Sequence, residues 1–301
     1  MKTIITGSSG FVGRNLTTYL EGNKIQAQGI SLRSPRWAAE IDTTADALIH
    51  LAGKAHDTTN TSSAIEYFKV NRDLTISLFE KFLASDIRDF YFFSSVKAVA
   101  DTVRDVLYED LIPQAITPYG QSKLEAETYL LNQDLPEGKR LFIIRPCMIH
   151  GRGNKGNLNL LYKVVEKGLP WPLAAYDNQR SFLSIDNLTY LIHQMLLDEK
   201  VPSGIYHFAD DEAISTNQLI QVISTELGKK PRLWKLRKDF IESVGKIGDV
   251  LPLPLNSERL KKLTESYVVS NQKIKNMLGI NALPLTATEG LMKTIASFKE
   301  S

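Results

Sequence analysis

Among the eleven tyrosines of the chain, only Tyr119 has a lysine four residues on, Lys123. Thr117 can cap a helix and Pro118 suits its first turn, so Tyr119 and Lys123 are expected on one helical face. A free phenol titrates near ~10 and is a poor base at neutral pH. An ammonium group beside it favours the phenolate and lowers that value, which makes the pair a candidate acid/base. Taken alone, the pattern also describes an exposed tyrosine and lysine on an ordinary helix. A second element changes the balance. The run Asp89-Phe90-Tyr91-Phe92-Phe93 has the composition of a buried strand and ends in two hydroxyls, Ser94 and Ser95. In an open parallel sheet, ligands collect at the carboxyl ends of the strands. Ser95 is therefore expected at the crevice that the tyrosine would serve.

A third element lies at the start of the chain. Thr6-Gly7-Ser8-Ser9-Gly10-Phe11-Val12-Gly13 follows the strand-like run 2–5 and precedes a stretch, 14–21, with Leu16 and Leu20 at helical spacing. A glycine-rich turn between strand and helix lets backbone N–H groups approach a pyrophosphate at the positive end of the helix. Gly7 can take the tight turn, Gly10 leaves room for phosphates, and Gly13 allows the helix to pack closely. The spacing is G-x-x-G-x-x-G rather than the more familiar G-x-G-x-x-G. Dinucleotide contacts are expected from Gly7, Ser8, Ser9, Gly10, Phe11, Val12, Gly13 and Arg14.

These elements need a scaffold, and the rest of the chain supplies one. Strand-like and helical segments alternate through residue 150, which predicts parallel βαβ units. The short apolar runs 47–51, 90–94 and 141–144 suit a sheet covered on both faces. Helices are expected over 64–83 and 119–132, with Ser62 or Ser63 capping the first after the polar run that starts at Thr58. Gly, Asn and Pro cluster from Gly151 to Pro172, and Pro252, Pro254 and Pro284 follow. We read a dinucleotide-binding domain over 1–150, with returns to the sheet near 181–209. A smaller lid for substrate then occupies 151–180 and 210–301.

Composition excludes several classes. With 43% hydrophobic and 23% charged residues, the 301-residue chain is an ordinary globular one. A net charge of +2 gives no sign of a nucleic-acid or membrane partner. No secretory signal precedes the first strand and no apolar stretch approaches ~18 residues. Cys147 is the only cysteine, so no internal disulfide forms, and a reducing cytoplasm is expected. The five histidines, His50, His56, His150, His193 and His207, contain no i, i+4 pair, so no metal is expected.

In order and spacing, the glycine turn, the strand-end Ser95 and Tyr119-x-x-x-Lys123 resemble the extended short-chain dehydrogenase/reductase family, which includes nucleotide-sugar epimerases, dehydratases and ketoreductases. The resemblance spans nearly the whole chain. It includes His50-Leu51-Ala52-Gly53, Asn71, Arg145-Pro146, Gly151-Arg152-Gly153, Arg180-Ser181-Phe182 and Asp186-Asn187-Leu188. Gly156-Asn157-Leu158 and Tyr176-Asp177-Asn178-Gln179-Arg180-Ser181 are similar to the branch acting on UDP-linked N-acetylated hexoses. The resemblance implies an α/β, Rossmann-type doubly wound parallel sheet with a smaller interleaved C-terminal substrate domain. It implies catalysis by Ser95, Tyr119 and Lys123, with Leu51, Ala52, Gly53, Asn71 and Pro146 as further cofactor contacts. It also implies a homodimer in which helices 64–83 and 119–132 form a four-helix bundle with their twofold mates.

Two departures narrow the reaction. Family dehydratases carry Asp-Glu directly after the strand-end hydroxyl, whereas Val96-Lys97 follows Ser95 here. Hydride transfer at C4 of the sugar remains, as reduction of a 4-keto UDP-N-acetylhexosamine for surface polysaccharide or as 4-epimerisation with tightly held NAD. A non-catalytic NADP-sensing protein is the alternative of another class. Lys97, Asn157, Arg180 and Arg259 are candidate contacts for a nucleotide-sugar substrate. The second departure is between strands 25–32 and 47–51, where only fourteen residues leave little room for a third strand. Asp42 is the residue there that could meet an adenine. The second strand ends Ser31-Leu32-Arg33 without the acid that would hold a ribose 2′-hydroxyl. Arg33, aided by Arg14, suits a 2′-phosphate, so NADP is favoured over NAD.

Overall fold

The computed structural model describes residues 1–54, 63–154, 156–251 and 256–299, apart from the side chain of Asn157. His56, the polar run 58–62, Pro252 and Pro254 lie outside the described residues. Six parallel strands make the central sheet: β1 (Lys2–Thr6), β2 (Gln26–Ile30), β3 (Ala47–His50), β4 (Asp89–Phe93), β6 (Arg140–Pro146) and β9 (Gly204–Phe208). Their order is β2-β1-β3-β4-β6-β9. Two short parallel pairs lie outside it, β5 (Val106–Leu107) with β10 (Val268–Val269) and β7 (Met148–His150) with β8 (Phe182–Ser184).

The helices are α1 (Phe11–Gly22), α2 (Trp37–Glu40), α3 (Ala64–Tyr67), α4 (Leu74–Leu83), α5 (Pro118–Leu131) and α6 (Asn157–Glu166). There follow α7 (Ile185–Leu197), α8 (Thr216–Glu226), α9 (Lys238–Val250), α10 (Ser257–Thr264), α11 (Gln272–Leu278) and α12 (Ala287–Phe298). The strands read as continuous apolar runs because successive side chains fill opposite layers. Phe90, Phe92, Leu141 and Ile143 pack with Leu78, Phe79 and Phe82 of α4 and Leu130 of α5. Tyr91, Phe93, Phe142 and Ile144 pack with Leu16 and Leu20 of α1 and Leu188 and Leu191 of α7.

The expected helix 64–83 is three pieces. Ser63 caps α3 through its side chain, but Phe68–Asp73 is a π turn before α4 resumes. Single π turns inside helices often mark functional positions, and this one carries the buried Asn71. The apolar excess on this helix and on α5 is largely internal: Leu78, Phe79, Phe82 and Leu130 are buried in the chain's own core. Phe68, Leu74 and Leu124 are half-buried, and Leu131 is exposed.

Between β2 and β3 only α2 forms, so β2 is an edge strand. Asp42 here takes hydrogen bonds from Lys2 Nζ and from the Thr44 amide and hydroxyl, which hold its carboxyl well below the usual range. A second core gathers Leu158, Tyr162, Trp171, Leu173, Ile220, Ile223, Leu291 and Ile295. Tyr267, Val269, Ile274 and Leu283 instead join the sheet-side core, so the chain returns to the sheet once more after residue 210.

Candidate active site

The glycine turn is shaped by two close approaches. Gly7 has φ +74°, and a Cβ there would lie 2.7 Å from the Ala52 nitrogen; one on Gly13 would lie 2.3 Å from the Gly7 carbonyl oxygen. Gly10 occupies the N-cap of α1 without a side-chain cap. The first N–H groups of the helix thus meet no capping side chain, and helix N-termini attract anions. These residues fit a dinucleotide pyrophosphate.

Ser95 follows β4 and caps a short 3-10 turn, Val96–Ala98, accepting from the Lys97 amide at 3.2 Å. Thr117 caps α5 by accepting from the Gly120 amide at 3.2 Å, with Pro118 in the first turn. The two segments meet because residue 120 is glycine: a Cβ there would lie 2.4 Å from the Lys97 carbonyl oxygen. That approach brings the Ser95 hydroxyl close enough to Tyr119 to favour its ionised form. The Tyr67 ring meets Tyr119 edge-on, with centroids 6.1 Å apart.

Here the phenol departs from the expectation of a lowered value. Burial raises it, and the neighbouring Ser95 hydroxyl opposes that only in part. Lys123 is occupied elsewhere, donating to the Phe93 carbonyl at 2.7 Å and lying over the Phe92 ring at 4.7 Å. Burial pushes its ammonium down to about 8. Activation of Tyr119 therefore depends on charge brought by a ligand rather than on the lysine alone.

A buried network joins this helix to the glycine turn. Asn71 Nδ2 donates to Ser122 Oγ at 3.1 Å and to the Lys54 carbonyl at 3.1 Å, and Oδ1 accepts from the Lys54 amide at 2.7 Å. Thr75 Oγ1 donates to the Asn71 carbonyl at 2.8 Å. His50 Nε2 lies 2.9 Å from Thr75 Oγ1, and Nδ1 lies 2.7 Å from Thr6 Oγ1. Since Thr75 spends its proton on Asn71, Nε2 must donate and Nδ1 must accept from Thr6. Burial, with Lys123 nearby, pulls His50 down to about 3, so the ring is neutral. Thr6, Thr75, Ser122 and Gly120 were not among the expected site residues. Only the Asn71/Thr75 spacing, one helical turn, was a local signal.

Lys97 is half-buried, donating to the Asp101 carbonyl at 2.7 Å with its ammonium 4.2 Å from the Tyr267 ring centre. Burial lowers it, and Arg180 is among the charges it feels. Arg180 donates to the Lys262 carbonyl at the end of α10, while Arg259 is exposed in the first turn of that helix. Tyr267 holds this corner together by donating to the carbonyls of Ala100 at 2.7 Å and Val96 at 3.2 Å. Lys97 and Arg180 are thus brought together beside Ser95. Arg14 and Arg33 are exposed and form no ion pair among the described residues. Pro146 ends β6 and is buried, and Leu51, Ala52 and Gly53 follow β3 beside Gly7 and Lys123. Among the described residues no cluster of His, Cys, Asp or Glu is placed to hold a metal ion.

The NAD dependent epimerase/dehydratase family matches residues 3–209. The chain belongs to this family. Its match takes in the glycine turn, Ser95, Tyr119 and Lys123 together. Over 99% of the chain and 95% of the relative, it is 27% identical to UDP-glucose 4-epimerase of Vibrio cholerae. It is 24% identical to GDP-6-deoxy-D-mannose reductase of Pseudomonas aeruginosa, over 74% of the chain and 79% of the relative. The fold is similar to the structure of RMD from Pseudomonas aeruginosa complexed with NADPH, with a TM-score of 0.77 and 18% identity over 100% and 99% of the two chains. Solved structures of this fold hold NAD, as in UDP-glucose 4-epimerase of Thermus thermophilus (TM-score 0.78, 18% identity, 100% of both chains), or NADPH, as in RMD, and the expected family and α/β fold are both met.

Proposed function

We propose that this chain is an NAD(P)-dependent oxidoreductase acting at C4 of a nucleotide-linked sugar, as a 4-ketoreductase of a UDP-N-acetylhexosamine in surface polysaccharide synthesis. The observation that carries the reading is the close approach of the Ser95–Lys97 turn after β4 to the start of α5, which brings Ser95 beside Tyr119, with Val96-Lys97 following Ser95 instead of an acidic pair. A bound nicotinamide supplies the hydride. Tyr119 gives its proton to the C4 oxygen as that oxygen gains charge, and Ser95 steadies the same oxygen by hydrogen bonding. Lys123 is placed to hold the nicotinamide ribose once it leaves the Phe93 carbonyl. Lys97 and Arg180, with Asn157 and Arg259, are the proposed grip on the sugar and diphosphate.

We favour NADP because Arg14 and Arg33 stand exposed without ion-pair partners among the described residues, and β2 ends without an acid. A second reading is 4-epimerisation with tightly held NAD, supported by the Vibrio relative that spans the whole chain. The test is incubation with NADPH and a UDP-4-keto-hexosamine, and separately with UDP-hexosamines. Net oxidation of NADPH is expected. Interconversion of UDP-hexosamines without net oxidation would establish the epimerase instead. Tyr119→Phe should lower turnover by about 10²-fold or more with little change in cofactor affinity, and a well-folded variant of normal turnover would remove Tyr119 from the mechanism.

A further inference from the structure

The net charge of +2 conceals a strong local segregation. Between Lys229 and Leu251 stand seven cations against three carboxylates. Six of the seven, Lys229, Lys230, Arg232, Lys235, Arg237 and Lys238, fall in the ten residues that lead into α9 with no acid among them. Lys229 and Arg232 donate to the carbonyls of Glu166 and Gly168. Lys230 and Lys235 are exposed and form no hydrogen bond or ion pair among the described residues. Among the described residues Arg237 pairs with the exposed Asp239, and Lys238 lies 5.1 Å from the Tyr176 ring centre. Trp234, in the middle of this run, is 48% exposed.

Helix α9 continues the surface. Its inner side buries Ile241 and Gly245, the latter against Leu260 of α10. One side of that contact, Phe240, Val244, Ile247 and Leu251 repeat at helical spacing. Phe240 is 59% and Ile247 is 51% exposed. Glu242 and Asp249, seven residues apart, fall on the other side of the helix from that stripe. Helix α9 thus presents an exposed apolar stripe, and the segment leading into it carries a partly exposed tryptophan and two exposed cations, Lys230 and Lys235, without partners among the described residues.

We propose that this face, α9 with the basic segment before it, docks on an anionic lipid surface. The stripe enters the boundary between headgroups and acyl chains, and the cations meet the lipid phosphates. No described helix is long and apolar enough to cross a membrane, and the contact is a surface one. A second copy of the chain suits the face poorly, because an isologous contact would bring the basic run against its own image. Helix α10, packed on α9, holds Arg180 through the Lys262 carbonyl. Docking there would set the Lys97–Arg180 corner close to the membrane surface.

The test is flotation of the full chain with phosphatidylcholine vesicles made with and without phosphatidylglycerol. Binding to the anionic vesicles alone, reversed by high salt, is expected. Lys235→Ala with Arg237→Ala should weaken it about thirtyfold, about fivefold per cation. Phe240→Asp with Ile247→Asp should weaken it at least about tenfold, with thermal unfolding unchanged because these side chains lie outside the core. Absence of binding to anionic vesicles overturns the proposal. Binding that survives Phe240→Asp and Ile247→Asp overturns it too, since attachment would then use another face. If those changes instead halve the mass of the chain in solution, the occupant is a second copy.

Discussion

Replacing His50 with phenylalanine tests the buried network through a reversal that ordinary destabilisation would not produce. His50 is fully buried between Thr6 and Thr75. Phenylalanine fills much of the same space but makes neither bond. The Thr6 hydroxyl loses its acceptor, and Thr75 Oγ1 loses a donor while keeping its bond to the Asn71 carbonyl. One buried orphan donor and one weakened acceptor should together cost about 3 kcal/mol at pH 7. The pH dependence runs the other way. The folded-state value of about 3 lies below the ordinary histidine value, so the unfolded chain binds more protons between about 6.5 and 3. The stability tied to neutral His50 is therefore complete above about 6.5 and is lost as the pH falls toward 3. From pH 7 to pH 5 the parent should lose about 2 kcal/mol through this residue, a loss that the phenylalanine variant cannot share. The gap between them should narrow from about 3 to about 1 kcal/mol. Urea unfolding at several pH values, followed by far-UV circular dichroism, measures the gap directly. A gap that stays constant from pH 7 to pH 5 would refute the assignment of His50 as a neutral, acid-sensitive link.

Arg33→Ala should weaken NADPH binding by about 1.5–3 kcal/mol, the usual worth of a hydrogen bond to a charged group, and leave NADH binding nearly unchanged. Equal losses for the two cofactors in a titration, or tighter NADH than NADPH binding by the parent, would contradict a 2′-phosphate role. For assembly, we expect α5 and the segment from Phe68 through α4 to pack against their twofold mates. Light scattering at micromolar concentration should then give about twice the 33.8 kDa chain mass. Leu131→Asp, placed on the exposed end of α5, should split the dimer and lower activity with it, and a 33.8 kDa parent species counts against the dimer.

The amino-acid sequence by itself determined the features whose causes are local. Thr117 and Pro118 announce the start of α5 because a cap and a proline act within one turn. The apolar runs of β3, β4 and β6 announce a sheet buried on both faces. The short interval between β2 and β3 correctly leaves no place for a strand among residues 31–46. The glycines at 7, 10 and 13 mark the turn from β1 into α1 for the same reason, since strand, turn and helix are contiguous.

What only the tertiary structure decided involves partners far apart in the chain. Tyr119 and Lys123 do share a helix, but the lysine turns to a strand carbonyl thirty residues away, and burial moves the phenol the opposite way from the pairwise expectation. His50 reads as one letter of a strand end until Thr6 and Thr75, 44 and 25 residues distant, enclose it. Residue 120 must be glycine only because the Lys97 carbonyl passes over it. Tyr267 reaches Val96 across 171 residues, a separation over which no periodicity carries information. Hydrogen bonds and desolvation act over a few ångströms of space, and folding alone decides which distant residues come within that range.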